Sequence, residues 1–274
     1  MRIKILASGS SGNCTFIETS SHKILIDVGI SRKAIEQELS NIGINLKDID
    51  TLLITHEHID HIKSLGIILK KVDLTCYMTS GTYNAIVNEN SPLSDILVQK
   101  YSAGYIILLN RLDNSILYQD VFLDEILIKV LPTFHDAAEP CGFKIVDDSM
   151  SIVYLTDTGY IHQTLYEQIS NANCYVLECN HDPYILMSSN RTYGLKMRIL
   201  SDHGHLSNED AFVTLAKIMG EQTKLVFYAH ISQECNLTEI IELTRKKVMT
   251  EIGIDTSNDD FVVTSPVATK VYDL

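Results

Sequence analysis

The 274-residue chain has no tryptophan, only 5 prolines and no CxxC pair. Its six cysteines (Cys14, Cys76, Cys141, Cys174, Cys179, Cys235) are scattered, which excludes a paired-thiolate zinc ribbon. In a chain of this length without an export signal they read as reduced, buried and inert. The N-terminus carries one short apolar run followed by a Gly/Ser turn, not the long apolar region of a signal peptide. No segment approaches the ~20 apolar residues needed to cross a bilayer. Positive charge is scarce: 22 basic against 35 acidic residues give a formal charge of −13, too little basic surface to coat DNA or an anionic membrane nonspecifically. An enzyme acting on phosphates remains open if bound metal ions supply the positive charge. Pro/Gly/Ser-rich linkers, low-complexity tracts and internal repeats are missing too. The expectation is a soluble cytoplasmic protein of one continuous domain, 1–274. A hydrophobic fraction of 45% is ample for its core.

Short Ile-rich stretches bounded by turn residues predict early strands at 3–7, 15–18 and 23–27. A helix follows at 31–42, with Ser31 as cap, Ile35, Leu39 and Ile42 at helical spacing, and Gly43 to close it. Residues 50–55 form an apolar strand that runs into a histidine-rich turn, with a helix at 62–71 and a strand at 74–78 beyond. Further strands are predicted at 105–109, 115–118, 126–132, 142–146, 151–156, 175–178 and 225–228. Helices follow at 208–219, capped by Ser207 or Asn208, and at 237–250; 261–272 is extended. Strands that first pair among themselves and later alternate with helices imply mixed sheets covered by helices.

The sharpest feature is Thr55-His56-Glu57-His58-Ile59-Asp60-His61 at the end of an apolar strand. Three histidines and two carboxylates on one strand-to-helix turn can converge on a point, and imidazole and carboxylate are the usual ligands of zinc, iron and manganese. Other strand ends offer more donors: His135 in PTFHDAAEP, Asp157 in YLTDTGY and His230 in LVFYAHIS. Each sits where an apolar strand stops, the place where rigid scaffolds put functional groups. Weaker candidates are Asn13 in the Gly/Ser turn, His181 and Asp182 after Glu178, and Ser232 and Asn236 as phosphate contacts.

The pattern resembles the metallo-β-lactamase superfamily over most of the chain, carried by His56-x-His58-x-Asp60-His61 and by Asp27 in ILIDVG. The resemblance implies an α/β fold, a four-layer αββα sandwich. It implies two divalent metal ions (Zn, Mn or Fe): His56, His58 and His135 on one, Asp60, His61 and His230 on the other, Asp157 bridging, with Asp27 behind the histidine loop. SGSSGNC, FHDAAEPCGF, LECNHD, LKMRILSDHGHLSNEDA and HISQECN are similar to the YycJ (WalJ) group of exonucleases and phosphodiesterases. From RNase Z-type nucleases the resemblance carries over a glutamate that orients a proton-donating histidine, here Glu178 and His205. The loop reads His-Leu-Ser where RNase Z has His-Ser-Thr, and no long tRNA-binding arm is evident; both turn the reading away from pre-tRNA processing.

The expected chemistry is hydrolysis of phosphodiester bonds. Metal-bound hydroxide attacks, Asp60 orients it as well as ligating, and His205 protonates the leaving oxygen. The substrate implied by the resemblance is single-stranded or free-ended nucleic acid, cut as an exonuclease cuts it. Arg191, Lys196 and Arg198, just before the GHLSN loop, supply local positive field. Two alternatives stand beside this: a hydrolase of a small cyclic phosphodiester, lactone or thioester, and a diiron redox protein, against which His58 counts.

Overall fold

The structure is a computed structural model that describes residues 1–255 and 260–274. Among these residues two compact units emerge: 1–132 with 137–141 and 266–274, and 133–136 with 142–265.

The first unit begins with β1 (Arg2–Ala7), β2 (Cys14–Glu18) and β3 (Lys23–Ile26), antiparallel neighbours, and continues with β4 (Thr51–Leu53), β5 (Thr75–Thr79) and β6 (Ile106–Leu109), added parallel to β3. A hairpin of β7 (Val121–Leu123) and β8 (Ile126–Pro132) follows. Five helices connect these strands: α1 (Arg32–Ser40), α2 (Ile59–Ile62), α3 (Leu65–Lys71), α4 (Ser80–Asn88) and α5 (Pro92–Ser102). The reason for α1 is local. The Ser31 hydroxyl accepts from Ala34 N, and Ile35 and Leu39, four residues apart, bury one face. That face joins a core containing Phe16, Leu25, Leu52, Ile68 and Met78.

The second unit carries β9 (Cys141–Asp147) from Gly142 on, β10 (Met150–Leu155), β11 (Cys174–Glu178), β12 (Leu225–Ala229) and β13 (Asp260–Val263). β9 and β10 are antiparallel; β10 to β13 run parallel. Every residue of β11 and β12 is buried, the pattern of parallel strands covered on both faces. Its helices are α6 (Tyr166–Ile169), α7 (Pro183–Ser188), α8 (Tyr193–Ile199), α9 (Asn208–Ile218) and α10 (Thr238–Ile252). The core is aromatic, and Tyr175, fully buried, hydrogen-bonds through its hydroxyl to Ile169 O and Ile218 O, each at 2.8 Å. The last strand, β14 (Tyr272–Asp273), returns to the first unit beside β1.

The expected mixed sheets with covering helices are present. Three local expectations change. Residues 115–118 form no strand: Asn114 sits at φ 56° in a tight turn, and Arg111–Tyr118 is a single bridge. The helix expected at 62–71 is interrupted at Lys63 and Ser64, where Ser64 N and Oγ turn to Val28 O and Ile30 O. And 261–272 is two short strands rather than one extended run. All six cysteines are buried free thiols. No helix among the described residues is long and apolar enough to cross a membrane.

Candidate metal centre

In the first unit the donors sit on the turn after β4, His56 and His58, and in α2, Asp60 and His61. Asp27, fully buried at the end of β3, holds that turn. Its Oδ1 accepts from Thr55 N at 2.9 Å; its Oδ2 accepts from the Thr55 hydroxyl at 2.8 Å and from His61 Nδ1 at 2.7 Å. Burial pushes the Asp27 carboxyl up from its ordinary value, and the His61 and Thr55 contacts pull it back. The Thr55 hydroxyl also lies 3.0 Å from His56 Nδ1. With Nδ1 engaged, each of these two rings leaves Nε2 for a ligand. His56 Nε2 lies 3.0 Å from His58 Nδ1, and His61 Nε2 lies 3.6 Å from Asp60 Oδ2 and 3.1 Å from Asn13 Nδ2. Asn13, from the Gly/Ser turn, is thus a neighbour of the donors rather than a purely local turn residue.

The backbone of the turn is clamped as well. Asn13 N donates to Asp60 O at 2.8 Å and Val28 N to His61 O at 2.8 Å. A Cβ on Gly29 would fall 1.5 Å from Asp60 O, so only glycine lets the chain after β3 pass this close.

In the second unit the donors come from separate strand ends and from the loop between α8 and α9. Asp157, Glu178, His205 and His230 each offer an atom within 4.8 Å of the others. Asp157 Oδ1 lies 3.4 Å from His230 Nε2 and 3.9 Å from His135 Nε2. Glu178 is the hub, fully buried at the end of β11. Its Oε1 receives His205 Nδ1 at 2.7 Å and His230 Nδ1 at 3.1 Å; its Oε2 accepts from Thr158 N at 2.8 Å and Leu206 N at 3.3 Å. Burial acts to raise this carboxyl, but His205 and His230 outweigh it and hold it well below the usual carboxylate range. An ionised carboxylate only accepts, so both rings carry hydrogen on Nδ1 and turn Nε2 away from Glu178. His135 is set in the same way by a backbone carbonyl, Gly204 O at 3.1 Å from Nδ1. Burial pulls His135 below the ordinary histidine range, which favours the neutral, ligating form.

Asp157 and His230 hold φ of 55° and 53°, as does Asp27 at 57°. Non-glycine residues in the left-handed region cost free energy, and their presence at three of the strand ends that carry these groups fits a functional constraint. Carboxylates and imidazoles, several backed by a fixed acceptor, are the donor chemistry of a divalent cation site.

Sequence reasoning missed Thr55 and Asn180, whose side-chain amide donates to His230 O at 2.7 Å. Thr55 adjoins the histidine run and was visible there; nothing local marks Asn180. Other expectations move. Ser207, not Asn208, caps α9; the Asn208 side chain is pinned to Asn236 at 2.8 and 2.9 Å, which also occupies Asn236. The Ser232 hydroxyl accepts from Cys235 N, and Asp182 caps α7. Lys196 is buried, its ammonium turned inward to donate to Met187 O and Ser189 O.

A family model described as a β-lactamase superfamily domain matches residues 22–231. Exodeoxyribonuclease WalJ of Streptococcus pneumoniae is 36% identical over 265 residues, covering 93% of this chain and 91% of that protein. Exodeoxyribonuclease YycJ of Bacillus anthracis is 34% identical over 256 residues, covering 92% and 90%. Among solved structures, the metallo-β-lactamase-fold protein YhfI of Bacillus subtilis aligns with a TM-score of 0.69 at 13% identity, over 99% of this chain and 98% of that one, a likeness of fold. The chain belongs to the metallo-β-lactamase superfamily and, within it, to the WalJ/YycJ group. It has the α/β sandwich fold expected from its sequence and is a metal-dependent hydrolase.

Proposed function

We propose that the protein is a binuclear phosphodiesterase, an exonuclease acting on single-stranded or free-ended nucleic acid, and that residues 1–274 are one domain. In this reading His56, His58 and His135 would hold one cation, Asp60, His61 and His230 would hold the other, and Asp157 would serve both. The bound cations, Zn, Mn or Fe, would polarise the phosphodiester and lower the pKa of an attacking water. Asp60 orients that water. The Nε2 of His205 carries the proton that the departing oxygen needs, and Glu178, ionised behind Nδ1, stabilises the ring while it holds that proton.

One observation carries the reading beyond metal binding: the 2.7 Å contact between Glu178 Oε1 and His205 Nδ1. His205 is outside the seven ligands, and a poised proton donor serves a poor leaving group such as the alkoxide of a nucleotide. The names of the WalJ and YycJ relatives point the same way. The test is hydrolysis of 5′-labelled single-stranded DNA and RNA by metal-reconstituted protein, beside His205→Ala. Stepwise cleavage from one end, reduced about 10²–10⁴-fold in the variant, is expected. Turnover of bis(p-nitrophenyl) phosphate without cleavage of either strand would move the assignment to small phosphodiesters, and silence on both to lactones or thioesters.

A further inference from the structure

Between the strand that ends at Glu178 and the loop that carries His205, the chain makes a two-helix excursion over residues 183–200, α7 and α8. Its composition departs from the rest of the molecule. It contains Arg191, Lys196 and Arg198 and no aspartate or glutamate, within a chain of formal charge −13. Its surface departs too: Tyr184 is 85% exposed and Tyr193 71%, the two barest aromatic rings among the described residues.

The exposure does not come from a loosely held segment. Leu186 and Ile199 are buried with Cys235 in a small core beneath the two helices. The Asp182 carboxylate caps α7 at Tyr184 N and Ile185 N, both 2.9 Å, and Lys196 Nζ ties α8 back to Met187 O and Ser189 O, both 2.7 Å. The excursion is also fastened to the catalytic groups of its own unit. His205 N donates to Ile199 O at 3.0 Å. Arg198 is paired with Asp136, whose Oδ1 lies 3.2 Å from His135 Nε2, while 61% of the Arg198 side chain stays exposed. Arg191 is held by Glu234 at 3.0 Å.

We propose that α7 and α8 form a platform for an unpaired nucleic-acid strand, with Tyr184 and Tyr193 stacking on bases and Arg191 and Arg198 meeting backbone phosphates. The proposal rests on the nuclease reading above and names the part of the substrate that this surface takes. Stacking on tyrosine needs no particular base, which suits an enzyme that removes nucleotides one after another. The excursion adds no acidic residue of its own to repel a strand, and Arg198, though paired with Asp136, keeps most of its side chain exposed. The seven residues of α8 span about 10 Å, roughly three stacked-base steps of one strand.

The test is binding of a fluorescein-labelled phosphorothioate oligo(dT), which resists cleavage, to metal-loaded protein, followed by anisotropy. Tyr184→Ala and Tyr193→Ala should each weaken binding about tenfold and together more, whereas the Tyr→Phe forms keep the ring and stay within about twofold. On a cleavable strand the alanine variants raise KM and leave kcat close to that of the wild type. Phe122→Ala, a 68% exposed ring in the other unit, is the control and changes neither quantity. Wild-type binding in the alanine double variant overturns the platform, as does failure of the wild type to bind at about 100 µM, the weak end of nonspecific binding. A dimer in light scattering that disappears in the double variant also overturns it and assigns the surface to a second copy of the chain. Binding that depends on the tyrosines, with no cleavage, keeps the platform and removes the nuclease reading.

Discussion

Both units place a buried carboxylate behind their donor histidines, yet the two carboxylates are wired differently. Asp27 is bound to one threonine through both hydroxyl and backbone and to one ring, His61, so it fixes a turn whose donors are already consecutive in the chain. Glu178 is bound to two rings, His205 and His230, which lie 27 and 52 residues away, and to the backbone of Leu206, beside His205, and of Thr158 in a further loop. The first carboxylate completes a local motif; the second assembles a constellation that has no local existence. Loss of the first should therefore appear mainly as instability, and loss of the second mainly as lost turnover.

Glu178→Gln tests the second half and should give the larger effect. A glutamine has one acceptor oxygen where four donors converge. Whichever way its amide is turned, its NH₂ faces either the two imidazole N–H groups or the Thr158 and Leu206 amides. The rings then lose their fixed tautomer. Turnover should fall about 10²-fold, in keeping with the loss of groups that orient ligands, with the fold intact by circular dichroism. Unchanged turnover would show that Glu178 is a structural anchor only and would erase the contrast with Asp27.

Asp27→Asn tests the first half. Asparagine tolerates the φ of 57° at this position, so the substitution removes charge without straining the backbone. The Thr55 hydroxyl can rotate and accept from the new amide, but with its single oxygen turned one way the amide leaves His61 Nδ1–H facing an NH₂, and turned the other way it leaves Thr55 N–H facing one. One buried donor loses its acceptor, at a cost of about 1–3 kcal/mol in urea unfolding of metal-free protein. A loss of turnover equal to that of Glu178→Gln without any change in stability would break the comparison.

The same contrast explains what could be read from the sequence. The histidine run is contiguous with the strand ahead of it, and Asp27, 28 residues before Thr55, ends an apolar strand of its own, so their chemistry follows from residue type and position. His135, Asp157 and His230 were visible because each ends an apolar strand. Their joint placement beside Glu178 depends on the parallel pairing of β10, β11 and β12, which no local pattern encodes. The helices α4, α5, α7 and α8 were not read at all. Their apolar spacing is weak, and two of them, α7 and α8, are six and seven residues long and stand on side-chain caps, at Asp182 and Thr192, and on contacts made far along the chain. The sequence leaves the cap of α9 open between Ser207 and Asn208 because the two are equally good in type; the Ser207 hydroxyl takes the role, and Asn208 turns to its tertiary partner Asn236.

His181 sharpens the comparison from the opposite side, because it is a buried histidine with no carboxylate behind it. It is 1% exposed, and neither ring nitrogen has a hydrogen-bond partner. Burial pulls it from the ordinary histidine value down to about 4; Glu178, Asp182 and Asp210 oppose that shift and His205 adds to it. Between that value and the ordinary 6.5, the unfolded chain takes up a proton that the folded chain refuses. Stability from this residue is therefore complete above about pH 6.5 and declines as pH falls toward 4, by up to about 3 kcal/mol. Thermal melts of metal-free protein should show that decline, and His181→Gln, which cannot titrate, should flatten it whatever its own stability at pH 7. Parallel slopes for the two proteins would mean that the ring finds a partner when protonated, and that the distinction between carboxylate-backed and unbacked histidines does not extend to this one.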